Sequence, residues 1–198
     1  MNILKKKSGF SLIELVVSIS IIAIISAIMI ANYRSGGNSN ELSVAAQNLV
    51  SEIRKAQAYS LSHREHNGTI YPTGGWGVRL TDDTSGDLNK NFIFYYDIPD
   101  IGPPLRTQKF DQAIEKSYSS QIGHNVFVSN IICDGVDTNA YFWVVFEPPE
   151  PKINFLRSSD PSNTTLTEGI NTVEIVLEHS SGKTKSIILN KFGLIDIN

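Results

Sequence analysis

Cysteine is nearly absent: Cys133 is the only one in 198 residues. An intramolecular disulfide is therefore excluded, and so is a Cys-rich zinc site. Net charge is low as well. Seventeen Lys and Arg against twenty Asp and Glu give −3, too near zero for a nucleic-acid coat or a polyanionic tail. There is no repeat period. There is no nucleophile elbow, phosphate loop, dinucleotide fingerprint or zinc-protease helix motif, so no constellation of residues points to an enzyme. A hydrophobic content of 41% with 19% charged residues excludes a disordered chain, a collagen-like repeat and a disulfide-dense mini-protein. It allows a domain of ordinary core size.

What is present is unevenly spread. Met1 to Gly9 is polar and basic, with Lys5, Lys6 and Lys7 in a row. Phe10 to Ile30 follows, with sixteen apolar residues, four serines and Glu14. A helix of that length covers about 31 Å at about 1.5 Å per residue, close to a hydrocarbon core. Apolar residues fall on every face, unlike an ordinary amphipathic helix. The serines are tolerable because a hydroxyl bonds back to a carbonyl of its own helix. The lysines predict a cytoplasmic N-terminus.

Glu14 is the anomaly. A carboxylate at mid-membrane costs about 2.5–3.5 kcal/mol on insertion scales. One turn from the basic end it reaches toward the headgroups, where it is either a tolerated interfacial acid or an acid awaiting a positive partner. A cleaved secretory signal peptide is the competing reading. The apolar run is too long for one, and Ala27-Ile28-Met29-Ile30-Ala31 makes a poor cleavage site.

The run Lys5-Lys6-Lys7-Ser8-Gly9-Phe10-Ser11-Leu12-Ile13-Glu14-Leu15 resembles the leader junction of type IV prepilins and pseudopilins. The shared features are a basic leader, Gly then Phe, and Glu as the fifth residue after the junction. The resemblance implies cleavage between Gly9 and Phe10 by a prepilin peptidase and N-methylation of Phe10. It also implies pairing of Glu14 with the terminal amine of a neighbouring subunit, which sets register. Such a pair in a helix bundle fixes axial position more than it adds stability. The implied partners are the peptidase, an inner-membrane assembly platform and other pilin or pseudopilin subunits. The implied location is a single pass of the cytoplasmic membrane with an extracytoplasmic head, then a filament.

Asn32 to Asn40 is polar and holds Gly36-Gly37. Each glycine weakens a helix by about 1 kcal/mol relative to alanine, so a kink, melted stretch or break is expected. Asn38 and Glu41 could then cap a restart. From Glu41 to about His63, Leu42, Ala45, Leu49, Ile53, Ala56 and Ser60 share one face, suited to a sheet. Leu49 to Ala58 resembles the matching stretch of H-type pseudopilins and related minor pilins. Unlike many major pilins, the chain has no proline before Pro72 and no paired C-terminal cysteines.

The remainder reads as strands. Trp76–Leu80, Phe92–Tyr96, Val126–Val128 and Tyr141–Phe146 are short aromatic or β-branched runs. Val173–Glu178 and Ser186–Leu189 predict a hairpin about Ser180–Lys183, and a turn at Asn190–Gly193 precedes Leu194–Ile197. Pro99, Pro103, Pro104 and the 147–151 stretch belong in loops or at edges. Residues 97–124 are read as a long connection with one helical turn near Asp111 to Lys116. Gly74-Gly75-Trp76-Gly77 reads as a turn or bulge. The expected fold class is α+β and pilin-like: a long N-terminal helix, apolar in its first half, with a mainly antiparallel β-sheet head. Its expected parts are a leader at 1–9, a membrane and filament-core helix at 10–31, a further helix at 32–63 and the head at 64–198.

Three clusters have residue types that suit ligands. His63 and His66, with Glu65 between, have a metal-capable spacing but also suit a helix C-terminus. Asp82, Asp83, Asp87 and Asn89 form a candidate calcium loop with Gly86, and Asp134, Asp137 and Asn139 a second with Gly135. Asp, Asn and Gly are also ordinary hairpin-turn residues, and turn chemistry is the favoured reading of both, so no cofactor beyond a candidate calcium is expected. Arg54, Lys55 and Arg64, or Lys183 and Lys185, could start a DNA-binding patch. Loss of three leader lysines leaves fourteen basic against twenty acidic residues, an unfavourable background. The main expectation is a non-enzymatic filament subunit. The alternative is a minor tip pilin that binds DNA or a surface.

Overall fold

A computed structural model of the chain describes residues 9, 11–66, 68, 72–97, 116–137, 141–148, 152–159 and 169–198. One helix, α1, spans Leu12–Leu61. The strands are β1 (Gly75–Thr81), β2 (Asn91–Asp97), β3 (Lys116–Gln121), β4 (Val126–Cys133), β5 (Val136–Asp137), β6 (Tyr141–Glu147), β7 (Lys152–Ser158), β8 (Thr172–His179), β9 (Thr184–Asn190) and β10 (Ile195–Ile197). A 3₁₀ turn at Ser85–Lys90 joins β1 to β2. The expected α+β class holds. The chain divides into two compact units, Met1–Ser39 and Asn40–Asn198.

In the first unit, α1 leaves its apolar side chains uncovered from Leu12 to Ile30, each about half exposed or more. Ser18 and Ser20 donate to the carbonyls of Glu14 and Val16 at 2.7 and 2.8 Å, as serines in an apolar helix should. The break or melted stretch expected at Gly36-Gly37 is not there, because α1 carries both glycines within its bounds. Glycine weakens a helix without removing a backbone donor, as proline would. The restart cap expected of Asn38 and Glu41 is therefore absent too.

The second unit has two antiparallel five-stranded sheets, in the orders β3-β2-β1-β6-β7 and β10-β9-β8-β4-β5. The stripe read from sequence on α1 is the buried one. Leu42, Ala45, Leu49, Ile53 and Ala56 are all at most 3% exposed and join one core with both sheets. The first sheet supplies Trp76, Val78, Phe94, Phe142, Val144 and Phe146 to that core, and the second Val128, Ile131, Ile175, Leu177 and Ile187. Each fully buried side chain of this size contributes about 1.5–3 kcal/mol. At the start of the packed stretch, Glu41 Oε2 faces His179 Nε2 at 3.3 Å. His179 Nδ1 accepts the Ser181 N–H at 3.0 Å, so the proton lies on Nε2, toward Glu41.

A bulge decides the reach of β4. Pairing with β8 shifts between Val128 and Asn130. Val126 and Val128 point to the core, and after the extra residue Ile131 and Cys133 do so. Even-numbered positions thus hand over to odd ones, and the strand runs five residues past the expected Val128. β3 and β7, both edge strands, were not expected as strands. β3 lies inside the stretch read as a connection, and Lys116 opens it. The rest of the helical turn expected at Asp111–Lys116, with Pro99, Pro103, Pro104, Pro149 and Pro151, lies outside the described residues. Pro148 ends β6 in a turn, in keeping with its expected place.

Candidate functional site

The start of α1 is built from two side chains, Ser11 just before the helix and Glu14 at its third residue. Glu14 Oε2 accepts the Ser11 backbone N–H and the Ser11 hydroxyl, both at 2.9 Å. Ser11 Oγ in turn accepts the Glu14 N–H at 3.3 Å, and the Ser11 carbonyl accepts from Leu15 at 3.2 Å. This is a reciprocal capping box, with Ser11 as the cap and Glu14 at the third helical position. Glu14 Oε1 takes no bond among the described residues. The anomalous acid thus has a local partner, and the signal for it in the sequence is the Ser-x-x-Glu spacing at the start of the apolar run. Gly9 is exposed. Phe10, Lys5, Lys6 and Lys7 lie outside the described residues.

The other end of α1 closes with paired bonds. Arg64 N–H donates to the Tyr59 carbonyl at 3.0 Å and His63 N–H to the Ser60 carbonyl at 3.2 Å. His63 takes the left-handed conformation, φ 46°, that glycine more often supplies in such a terminus. His66 stacks on Tyr96 with centroids 4.0 Å apart. Among the described residues, no three His, Cys, Asp or Glu side chains come together as a metal cluster.

The candidate calcium loop is spread over protein partners instead. Asp83 accepts the Tyr141 hydroxyl at 2.7 Å and the Ser85 N–H at 2.9 Å. The Ser85 backbone bond, then the Tyr141 hydroxyl, hold its carboxyl below the usual aspartate range. Asp87 pairs with Lys90 at 2.8 Å. Asn89 is buried and donates to the Val128 carbonyl at 3.1 Å, tying the 3₁₀ turn to β4. Asp82 lines a recess with Thr81, Ser129 and Tyr141. In the second loop, Asp134 accepts the N–H groups of Thr172 and Asn171 at 2.9 and 3.1 Å, which fastens the start of β8. Those backbone donors, Asn171 first, lower its pKa. Asp137 is exposed in β5, and Asn139 lies outside the described residues.

Lys55, Arg54 and Arg64 each stand against a different neighbour. Lys55 turns onto Tyr118, donating to its hydroxyl at 2.8 Å and to Glu52 at 3.4 Å. Tyr118 itself donates a short bond to Glu52. Burial, and then the Glu52 bond, raise the Tyr118 pKa. Burial works to lower the Lys55 pKa, but Tyr118 and Glu52 outweigh it and hold the ammonium above its ordinary value. This clasp, which fixes the edge strand β3 to the helix, was not read from sequence. Arg54 stands beside β10, and Arg64 lies over the Tyr59 ring at 4.2 Å. Among the described residues one helix, α1, is long and apolar enough to cross a membrane, and it lies near the N-terminus.

Residues 4–30 match the family model described as the prokaryotic N-terminal methylation motif. No curated protein and no solved structure matches the chain. The stretch that ends in the Ser11–Glu14 cap and the apolar helix behind it is thus a prepilin-type signal, carried by a chain of α+β fold.

Proposed function

We propose that the chain is a structural subunit, a pilin or pseudopilin, of a type IV pilus or type II secretion filament. The observation that carries this reading is the methylation motif over residues 4–30, set on a helix whose apolar side chains are uncovered from Leu12 to Ile30. A prepilin peptidase removes residues 1–9 at the Gly9–Phe10 bond and Phe10 becomes N-methylated. Residues 10–31 hold the monomer in the cytoplasmic membrane, with the head outside the cytoplasm. An assembly platform then draws monomers into a filament whose core is made of these helices, beside other subunits of the same kind. The subunit is non-catalytic.

Glu14 sets register in this scheme. In the lipid a bare carboxylate is costly, and the bonds from Ser11 reduce that cost before assembly. Oε1 is left to meet the amine of a neighbour's Phe10. The test is the filament recovered by shearing and sedimentation from cells expressing Glu14→Leu. Loss of filament with normal membrane insertion is the expected result. Undiminished filament removes Glu14 from the scheme.

A further inference from the structure

A cavity of about 230 Å³ lies at the C-terminal end of α1. Its walls are the rings of Tyr59 and Trp76, set edge to face with centroids 5.1 Å apart, together with Pro72 and Pro148. Two polar groups in these walls are already used. Trp76 Nε1–H donates to the Arg64 carbonyl at 3.2 Å, and the Ser60 hydroxyl is shared between the Phe146 carbonyl and the Trp76 N–H. What the walls leave a ligand is ring and proline surface, little of it from Trp76, which is 3% exposed, together with the Tyr59 hydroxyl and Thr73.

The rim has the opposite character. It carries Arg64 and His63, both exposed. The Arg64 guanidinium lies over Tyr59 and makes no ion pair among the described residues. His63 sits where glycine would be free of strain, so the helix terminus does not require its side chain.

We propose that this cavity is a binding site for a small aromatic carboxylate. The ring lies against Tyr59 and Trp76, and the carboxylate meets the planar Arg64 guanidinium, which pairs with carboxylates through two parallel bonds. His63 supplies a further N–H from the rim. Size agrees with a single ring: an apolar cavity of about 150 Å³ accepts benzene, so this one has room for a ring and its acid group. Charge selects the acid over a neutral ring, because Arg64 is the cation at the mouth. The site does not depend on the filament reading and stands or falls apart from it.

The test uses the full chain in detergent micelles, with 3-phenylpropionate as the probe and 3-phenylpropanol as its neutral counterpart. The readout is the Trp76 indole N–H resonance, distinguished from that of Trp143 with a Trp143→Phe variant. The expected result is a saturable shift with a millimolar Kd, the range for so small a ligand. The alcohol should bind about tenfold more weakly or worse, as should the acid to Arg64→Gln, the loss of one charged hydrogen-bonding group. His63→Gly should weaken binding while raising the melting temperature, an outcome a purely structural histidine would not give. No saturable shift at Trp76, equal binding of acid and alcohol, or unchanged binding by Arg64→Gln overturns the proposal.

Discussion

Ser11 and Glu14 cap each other: the serine N–H and hydroxyl both reach Glu14 Oε2 at 2.9 Å, and the serine Oγ takes the Glu14 N–H at 3.3 Å. One carboxylate can therefore serve two purposes, a neutral one within its own helix and a charged one toward a neighbour. Substitutions separate them. Glu14→Gln keeps an acceptor for the cap but removes the charge, while Ser11→Ala removes most of the cap and keeps the charge. Losing a serine cap costs about 1 kcal/mol, which should show as faster amide exchange in the first turn of α1. Filament yield should fall sharply for Glu14→Gln and Glu14→Leu, and little for Ser11→Ala. The reverse order would mean that the cap, and not the charge, is what assembly uses.

Ser60 is the one polar residue on the buried stripe of α1 read from sequence. Its hydroxyl donates to the Phe146 carbonyl and accepts the Trp76 N–H at 2.9 Å, joining α1 to β1 and β6. Ser60→Ala leaves two buried backbone groups without that partner. Unfolding in denaturant should show a loss of about 1–3 kcal/mol, the cost of unsatisfied buried groups. A loss below a few tenths would mean that the hydroxyl is dispensable to the packing.

Gly77 is held to glycine by its neighbour on β2. A Cβ at this position would meet the Tyr95 ring and the Val144 carbonyl, both at 2.7 Å. Gly77→Ala must push the ring or the strand aside, and overpacking of this kind costs about 1–3 kcal/mol. The melting temperature of the full chain in micelles should drop accordingly. An unchanged melt would show that Tyr95 moves freely.

Asp83 and Asp134 set an acid limit on the head. Both carboxyls are held below the usual range by hydrogen bonds, chiefly from backbone N–H groups. Such a group titrates in the folded state below its unfolded value of about 3.9. Its stabilising contribution is complete above that value and is lost as pH falls through the lower folded one. Melting temperature should be level from neutral pH down to about 5 and then decline below about 4. Asp134→Asn should melt lower at neutral pH and decline less steeply in acid. An equal decline in the variant would remove Asp134 from this linkage.

The fold was legible where one rule governed a segment. The stripe from Leu42 to Ser60 follows helical spacing, and Val173, Ile175 and Leu177 alternate with Glu174 and Glu178, so both show their core faces in the sequence. It was illegible where two rules met. β4 was cut short at Val128 because the bulge beside Ser129 moves the core face from even to odd positions. β3, reading Lys-Ser-Tyr-Ser-Ser-Gln, has a single large side chain, and what secures it is the contact of Tyr118 with Glu52 and Lys55, more than sixty residues away. β7 follows three prolines that read as a loop. Gly36-Gly37 misled in the other direction: propensity argued for a break, and the helix carries through. At the site, the Gly-Phe-x-x-x-Glu spacing was readable in full. The Ser11 cap uses the same residues, so one Ser-x-x-Glu spacing carries both a capping box and part of the junction, and an acid in an apolar run points first to a partner from outside.

The most direct test of the filament reading is the intact mass of the chain purified from membranes of cells that contain a prepilin peptidase. The expected product begins at Phe10, lacks residues 1–9 and is heavier by one methyl group on its terminal amine. A chain that retains its first nine residues, or one cut near Ala31, contradicts that reading.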